Sequence, residues 1–267
     1  MSEFTLESFT ALDEAGSTSP YVQALEAFDS IEQLQALKQG AIEWCDISNG
    51  SKVLDVGCGF GLETLRLAHR NRDGSTAGID LSEDFIRLAR VRAQAASLEI
   101  AFQVASATNL PYYEDHFDAV RCERVLIYLE DVAAALREAK RVLRPGGRLA
   151  LIEPEFSSTT INLPNRSVVR KVMAHEVDTA VVQSWLPGQL RAMLPRLGFT
   201  DVAVDSRVLV FPQNLAKEYF ENVGNHAASA GIINDNELEE WHSELSRLAE
   251  SDSLFGSIGY FLFMAKA

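Results

Sequence analysis

The sequence has little cysteine, few positive charges and no long hydrophobic run. Its three cysteines, Cys45, Cys58 and Cys122, are too scattered for a disulfide framework and form no CxxC pair. Every apolar run is shorter than the roughly 18 residues that a membrane-spanning helix needs, and the acidic N-terminus lacks the basic residues of a signal peptide. These absences predict a cytoplasmic protein that neither crosses a membrane nor is exported.

Lysine and arginine are outnumbered by acids, 24 against 38, so the formal net charge is -14. A protein this negative repels nucleic acid and anionic lipid. The charge therefore argues against nucleic-acid and membrane partners and favours a small molecule. Neither charge nor composition indicates the oligomeric state.

Histidine is also scarce, and the five histidines show none of the close pairings typical of a zinc site, so we predict no metal. His175 and His226 lie in segments that we interpret as lids. An imidazole titrates near neutral pH and suits a general base for an acidic O–H or N–H acceptor. Both are therefore candidate catalytic residues, and packing within a lid is the alternative role.

Hydrophobic periodicity predicts alternating strands and helices over about a hundred residues of the chain. We expect strands at 52–56, 76–79, 100–104, 117–122 and 148–152, with helices at 62–70, 82–95 and 132–143. This alternation is typical of a doubly wound α/β fold with a parallel sheet. Two further strands are expected near the C-terminus, at 201–211 and 258–265.

The rest of the chain is divided by composition and periodicity. Residues 1 to about 20 are polar and expected to be mobile or draped over the surface, and amphipathic helices follow. Asn234 and Glu237 have the spacing of a capping box. The predicted units are an N-terminal segment at 1–47 covering the binding site, a core at 48–155, a lid at 156–183, a core helix and strand at 184–211, a helical lid at 212–253 and a last strand at 254–267.

The stretch VLDVGCGFG, residues 53–61, places glycines at alternate positions directly after the first strand. Ligands of doubly wound folds bind at this turn. A dinucleotide turn reads GxGxxG, whereas Gly57, Gly59 and Gly61 form GxGxG, which disfavours a nicotinamide oxidoreductase. Backbone without side chains can fold tightly beneath a ligand, and Asp55 favours a positive group there. Capping of the next helix is the alternative role for Asp55.

A second acid, Asp80, ends the second strand 19 residues after Gly61. A carboxylate at that position can accept hydrogen bonds from both hydroxyls of a ribose. The two features together indicate a ligand that contains a nucleoside and carries positive charge.

Four stretches in order, VLDVGCGFG, AGIDLS, NLPYYEDHFDAV and AKRVLRPGGRLALIEP, resemble the class I S-adenosylmethionine-dependent methyltransferases. The resemblance covers residues 50–155 and is nearest to the small-molecule branch that includes ubiquinone and menaquinone C-methyltransferases. It implies a Rossmann-like sheet of about seven strands, mostly parallel with an antiparallel last strand and helical lid insertions. It also implies S-adenosyl-L-methionine as the cofactor.

The resemblance also assigns residues to parts of the cofactor. It implies that the turn contacts the methionine half, that Asp80 binds the ribose and that Leu81 borders the adenine. The family's Asp-Ala pair at the third strand reads Ser106-Ala107 here, so the adenine contact falls on the Ala107 amide, a water or Thr108. The cofactor-binding residues so implied are Asp55, Gly57, Cys58, Gly59, Asp80, Leu81, Ser106, Ala107, Cys122 and Glu123.

By the same resemblance, Cys122 and Glu123 lie near the methionine end, Tyr128 lies deeper and Lys38 approaches the methionine carboxylate. Packing at the strand end is the alternative role for Cys122. Glu153 and Glu155 are either substrate contacts or solvated loop carboxylates. Six aromatic residues wall a substrate pocket or fill the core: Phe156, Trp185, Phe211, Tyr219, Phe220 and Trp241.

The predicted function is transfer of a methyl group from S-adenosylmethionine to an oxygen, nitrogen or carbon atom of a small or medium-sized, fairly apolar metabolite, by in-line displacement. The catalytic residues stay unidentified, with His175, His226 and Tyr128 as candidates. Two alternatives remain open: a quinone-precursor C-methyltransferase and a non-catalytic protein that binds the cofactor.

Overall fold

A computed structural model describes residues 19–47 and 50–267, and within them seven strands form one sheet. The expectation for residues 1–18, and the turn that the dipeptide Asn49-Gly50 predicts, include residues outside the described ranges. The strands are β1 (Lys52–Val56), β2 (Ser75–Asp80), β3 (Ala101–Val104), β4 (Phe117–Glu123), β5 (Leu143–Ile161), β6 (Thr200–Val210) and β7 (Gly256–Lys266).

The strands lie in the order β3-β2-β1-β4-β5-β7-β6. Strands β1 to β5 pair in parallel, whereas β7 lies antiparallel between β5 and β6. The predicted fold class is therefore confirmed, including the antiparallel last strand. Because Val56 pairs with both Ile79 and Cys122, the carboxyl ends of the three central strands meet at one edge of the sheet.

Nine α-helices occur within the described residues: α1 (Ser19–Asp29), α2 (Glu32–Cys45), α3 (Leu62–Arg70), α4 (Glu83–Ala95), α5 (Val132–Val142), α6 (Arg166–Thr179), α7 (Leu186–Arg196), α8 (Gln213–Ser229) and α9 (Asp235–Glu250). Side-chain caps fix several of their starts. Ser82 caps α4, Asp131 caps α5, and Asn234 with Glu237 forms the predicted capping box of α9. None of the described helices combines the length and apolarity that membrane crossing requires.

Strand β5 is longer than the predicted strand at 148–152. It continues to Ile161 because its second half pairs with β7, and the last pair joins Ile161 to Gly256. The segment predicted as a lid at 156–183 therefore begins as sheet and continues as α6. Sequence periodicity did not show this extension because the pairing joins residues almost a hundred positions apart.

The segment predicted as a helical lid at 212–253 folds as α8 and α9, which pack on each other. Trp241 is buried, and its indole N–H donates to the carbonyl of Phe220 at 2.8 Å. Gly224 makes room for this ring, since a Cβ there would lie 2.6 Å from the Trp241 side chain. The two aromatic residues therefore belong to the core of this segment.

Candidate functional site

The glycine turn after β1 has a backbone that only glycine adopts easily. Gly57, Gly59 and Gly61 have φ values of 68°, 53° and 84°, in the left-handed region that other residues avoid. A Cβ on Gly57 would lie 2.0 Å from Cγ2 of Val125. The chain between β1 and α3 therefore presents bare backbone at the carboxyl edge of the sheet.

We expect the substitution Gly57→Ala to destabilise the protein by about 2 kcal/mol. A left-handed alanine costs roughly 1–2 kcal/mol, and displacing Val125 from its rotamer adds about 1 kcal/mol. Urea unfolding of both proteins measures the loss. Gly146→Ala is the matched control, because Gly146 also has a positive φ of 75° but open space around it. If both variants lost the same free energy of unfolding, the contact with Val125 would not contribute to the destabilisation.

Asp80 connects the end of β2 to the glycine turn. Its Oδ2 accepts the Gly59 N–H at 2.8 Å, and its Oδ1 accepts the Ser82 N–H at 3.0 Å. Burial raises the pKa of this carboxyl, while the two amides oppose the rise. The carboxylate therefore lies beside the turn, where the sequence places it.

A cavity of about 240 Å³ runs from this turn along the edge of the sheet. One end is polar and the other is largely aromatic. At the polar end, the predicted residues that line it are Asp55, Gly57, Cys58, Gly59, Asp80, Leu81, Ala107 and Glu123. The far end is lined by Phe156, Phe211, Tyr219, Ile258 and Tyr260.

A network of buried charges forms the floor of the cavity. Arg121, 3% exposed, pairs with Asp55 at 3.1 Å and also contacts Glu123. Lys38 lies among three carboxylates, at 2.6 Å from Asp29, 3.1 Å from Glu63 and 3.3 Å from Glu123. Three carboxylates therefore already surround the ammonium group that the resemblance directs to the methionine carboxylate, and the sequence did not reveal them.

The cations control the ionisation of Glu123. Burial alone would raise the pKa of this carboxyl, but Lys38 and Arg121 lower it to about 2. Glu123 is therefore ionised at neutral pH. The stabilisation that this depressed pKa provides is present above the ordinary value of 4.5 and is lost as the pH falls towards 2.

Two predicted cofactor residues do not line the cavity. Side chains alternate along a strand, so Arg121 and Glu123 face the cavity while Cys122 turns to the opposite side, into apolar packing beside Leu126 and Leu136. Ser106 instead closes its own loop, with its hydroxyl 2.8 Å from that of Thr108. At this point Ala107 is the residue that reaches the cavity.

The candidate bases are separated from the cavity. His175 on α6 and His226 on α8 have ring centroids 5.3 Å apart, and neither is among the residues that line the cavity. Tyr128 does line it, but burial raises the pKa of its hydroxyl well above the usual range. A neutral phenol at that position donates a hydrogen bond and is a poor base. The described residues also include no group of three or more metal-ligating side chains.

Glu153 is neither a solvated loop residue nor a lining residue of the cavity. It is fully buried on β5, and its Oε1 accepts the amides of Val125 and Leu126 at 3.2 and 2.9 Å. The alternative of a solvated carboxylate is therefore wrong, because the extension of β5 buries this position. Burial raises the pKa of Glu153 to about 8.

We expect Glu153 to make stability fall as the pH rises. A raised pKa favours the protonated form of the folded state, so the stabilising contribution is complete below the ordinary value of 4.5 and is lost as the pH rises to about 8. The difference in unfolding free energy between Glu153→Gln and the wild type should grow by about 1 kcal/mol per pH unit across this window. Urea unfolding at three pH values measures it, and a pH-independent difference would contradict the burial of an ionisable group.

The aromatic residues divide between the two roles considered for them. Phe156, Phe211 and Tyr219 line the cavity, whereas Phe220 and Trp241 belong to the core. Trp185 has neither role, since it is 57% exposed. Arg121, Arg124 and Glu63 also line the cavity and were not predicted to do so, although the alternating charges in the stretch RCERVL, residues 121–126, were a visible signal.

Comparison with known proteins gives a consistent result. A family model described as a methyltransferase domain matches residues 54–151. The 2-phytyl-1,4-naphtoquinone methyltransferase of Trichormus variabilis is 30% identical over 167 residues, which cover 61% of this chain and 70% of that protein. Phosphoethanolamine N-methyltransferase 1 of Arabidopsis thaliana is 30% identical over 238 residues, 86% of this chain. The chain spans 46% of the length of that plant protein.

Among solved structures, the [4+2]-cyclase SpnF aligns with a TM-score of 0.59 and 23% identity, over 86% of this chain and 80% of that one. Similarity at this level of identity shows that the fold is shared.

Proposed function

Because this chain belongs to the class I S-adenosylmethionine-dependent methyltransferases, with S-adenosyl-L-methionine as cofactor, we propose that it transfers a methyl group to a small or medium-sized, fairly apolar metabolite. The acceptor atom is an oxygen, nitrogen or carbon, and the reaction is an in-line displacement. One observation carries the proposal: a continuous cavity joins the glycine turn to an apolar, aromatic end.

The residues at the polar end fit the cofactor. Gly57 and Gly59 leave the turn without side chains that would fill the space, and Asp80 lies beside it to accept the ribose hydroxyls. Within the part of the chain that the structure describes, Glu63 Oε2 is buried and receives no hydrogen bond, and it lies 3.8 Å from the Arg121 guanidinium. A buried acceptor of this kind suits the ammonium group of the methionine half.

The roles proposed for the remaining residues follow from their places in the cavity. Leu81, 61% exposed, borders the adenine, and Ala107 offers its backbone to the same ring. Arg121 holds Asp55 and Glu123 in position from below. We propose no contact between the cofactor and Cys122 or Ser106.

The bound cofactor supplies a methyl group already activated by a positive sulfur. The protein has to align the acceptor with that group and exclude water, which together are worth roughly 7–11 kcal/mol of a barrier. Phe156 of β5, Tyr219 of α8 and Tyr260 of β7 enclose the far end of the cavity. We infer that β5, α8 and β7 cover the bound acceptor.

The test of this proposal begins with binding. Calorimetry should detect S-adenosylhomocysteine but not NADH, and a protein that binds only NADH would overturn the assignment. Turnover is then measured with a methyl-labelled donor and extracts fractionated by polarity, in which label should pass to an apolar product. Binding without any turnover would favour a non-catalytic member of the family.

A second candidate, a quinone-precursor C-methyltransferase, is favoured by the similarity to the naphthoquinone enzyme of Trichormus variabilis. Its test is a reduced demethyl-naphthoquinone as acceptor with the same labelled donor. Label attached to a ring carbon would support this candidate, whereas label on another class of acceptor would leave the broader proposal in place.

A further inference from the structure

Arg124, directly after β4, has a backbone conformation that is unusual for its residue type. Its φ is 54°, in the left-handed region that is strained for a residue with a side chain. The conformation is fixed from β5, since the Arg124 N–H donates to the Ile152 carbonyl at 2.9 Å and the Val125 N–H donates to Glu153. Strained residues that the surroundings hold in place often serve a ligand.

The strained conformation changes the direction of the side chain. Along an extended strand, the residue after Glu123 would turn away from the cavity. With its left-handed backbone, Arg124 lines the cavity together with Glu123. The fold therefore keeps a strained backbone at the position where it directs a guanidinium to the cavity.

The surroundings of this guanidinium belong to the aromatic part of the cavity. Its central carbon lies 5.9 Å from the ring centroid of Phe28, and its charge interacts with the hydroxyls of Tyr128 and Tyr260. Burial raises the pKa of Tyr260 to about 12 although Arg124 opposes the rise. Both hydroxyls are therefore neutral donors at physiological pH.

Arg124 also has fewer acidic partners than the neighbouring cations. Glu123 is shared by Lys38 at 3.3 Å, by Arg121 and by Arg124 at 3.3 Å. Lys38 and Arg121 contact further carboxylates. Among the described residues, Glu123 is the only carboxylate within 4.0 Å of Arg124, and it contacts the Arg124 Nε. Because Lys38 and Arg121 share this carboxylate, it offsets the charge of Arg124 only in part. Positive charge is therefore left facing the cavity.

We propose that Arg124, with the hydroxyls of Tyr128 and Tyr260, binds an anionic oxygen of the methyl acceptor. The oxygen is an ionised phenol or enol hydroxyl, or a carboxylate, on an otherwise apolar skeleton. This inference rests on the proposed function and narrows its substrate class. A guanidinium binds such an oxygen by charge-assisted hydrogen bonds, and the aromatic side chains accommodate the skeleton.

If that oxygen is the one methylated, no protein base is needed. The acceptor loses its proton to solvent on binding, its oxygen forms the bond to the methyl carbon, and the bonding pair of the broken S–C bond stays on sulfur. The neutral ether or ester that results is no longer attracted by Arg124. This scheme agrees with the described lining of the cavity, which contains no histidine.

The probe for the test is 4-nitrophenol, whose anion absorbs visible light, added to protein saturated with S-adenosylhomocysteine. We expect the pKa of the bound phenol to fall by about one unit, seen as phenolate absorbance below the pH of the free phenol. Arg124→Met should abolish the shift, and Tyr260→Phe, which removes only a hydroxyl, should reduce it. The control Arg144→Met alters an exposed arginine paired with Asp118 and should leave the shift unchanged.

A second arm with 4-nitrobenzoate separates the two kinds of oxygen. Binding of either anion that depends on Arg124 supports the proposal, and the tighter of the two identifies the phenol or the acid as the acceptor class. The affinity for S-adenosylhomocysteine should be the same in Arg124→Met and wild type. A weaker affinity would assign Arg124 to the cofactor instead, and normal cofactor binding without any Arg124-dependent anion binding would overturn the inference while the proposed function stands.

Discussion

Replacing Asp80 with alanine should weaken the binding of S-adenosylhomocysteine by about 10²- to 10⁴-fold. Two ribose hydroxyls lose a charged acceptor, and each such hydrogen bond is worth about 1.5–3 kcal/mol. The variant also releases the amides of Gly59 and Ser82, which Asp80 holds at 2.8 and 3.0 Å. Calorimetric titration of both proteins measures the change in Kd.

The matched controls separate the carboxylate from general damage. Asp80→Asn keeps the shape of the side chain and one acceptor oxygen. Its affinity for S-adenosylhomocysteine should therefore lie between those of the wild type and Asp80→Ala. Asp73→Ala removes an exposed acid before β2 and should not change the affinity. Circular dichroism shows whether the alanine variant is folded. If a folded Asp80→Ala protein bound S-adenosylhomocysteine with a Kd within threefold of the wild-type value, Asp80 would not be the residue that binds the ribose.

Replacing Arg121 with methionine should destabilise the protein by about 3–5 kcal/mol, the cost of removing one partner from a buried ion pair. Methionine fills a similar length, so packing contributes little to the difference. The reason is electrostatic, because Asp55 and Glu123 lose the cation that lies directly beside them. Unfolding in urea gives the free-energy difference.

An exposed arginine provides the comparison for this effect. Arg87 is 75% exposed in its side chain and pairs with Asp84, so Arg87→Met should cost less than about 0.5 kcal/mol. Adding Asp55→Asn to Arg121→Met should recover part of the lost stability, since it removes one of the unpaired charges. If Arg121→Met and Arg87→Met reduced the free energy of unfolding equally, the buried ion pairs would contribute no more to stability than an exposed pair.

The parts of the site that the sequence predicted are local. The turn from Asp55 to Gly61 and the acid Asp80 are recognisable because their spacing reflects a backbone that only glycine forms and a carboxylate at a strand end. The strands were recognisable for a similar reason, since periodicity is a property of neighbouring residues. The full length of β5 was not, because β7 lies far away in the chain.

The sequence by itself determined the strand–helix alternation, the glycine turn and the identity of the acid beside it. Only the tertiary structure decided which of the neighbouring residues face the cavity. Cys122 and Arg124 are two positions apart, yet alternation buries the first while a left-handed backbone returns the second to the cavity. Likewise, the three acids around Lys38 come from α1, α3 and β4. The physical reason is that charges and side-chain directions combine across distant segments, and no local pattern records which segments meet.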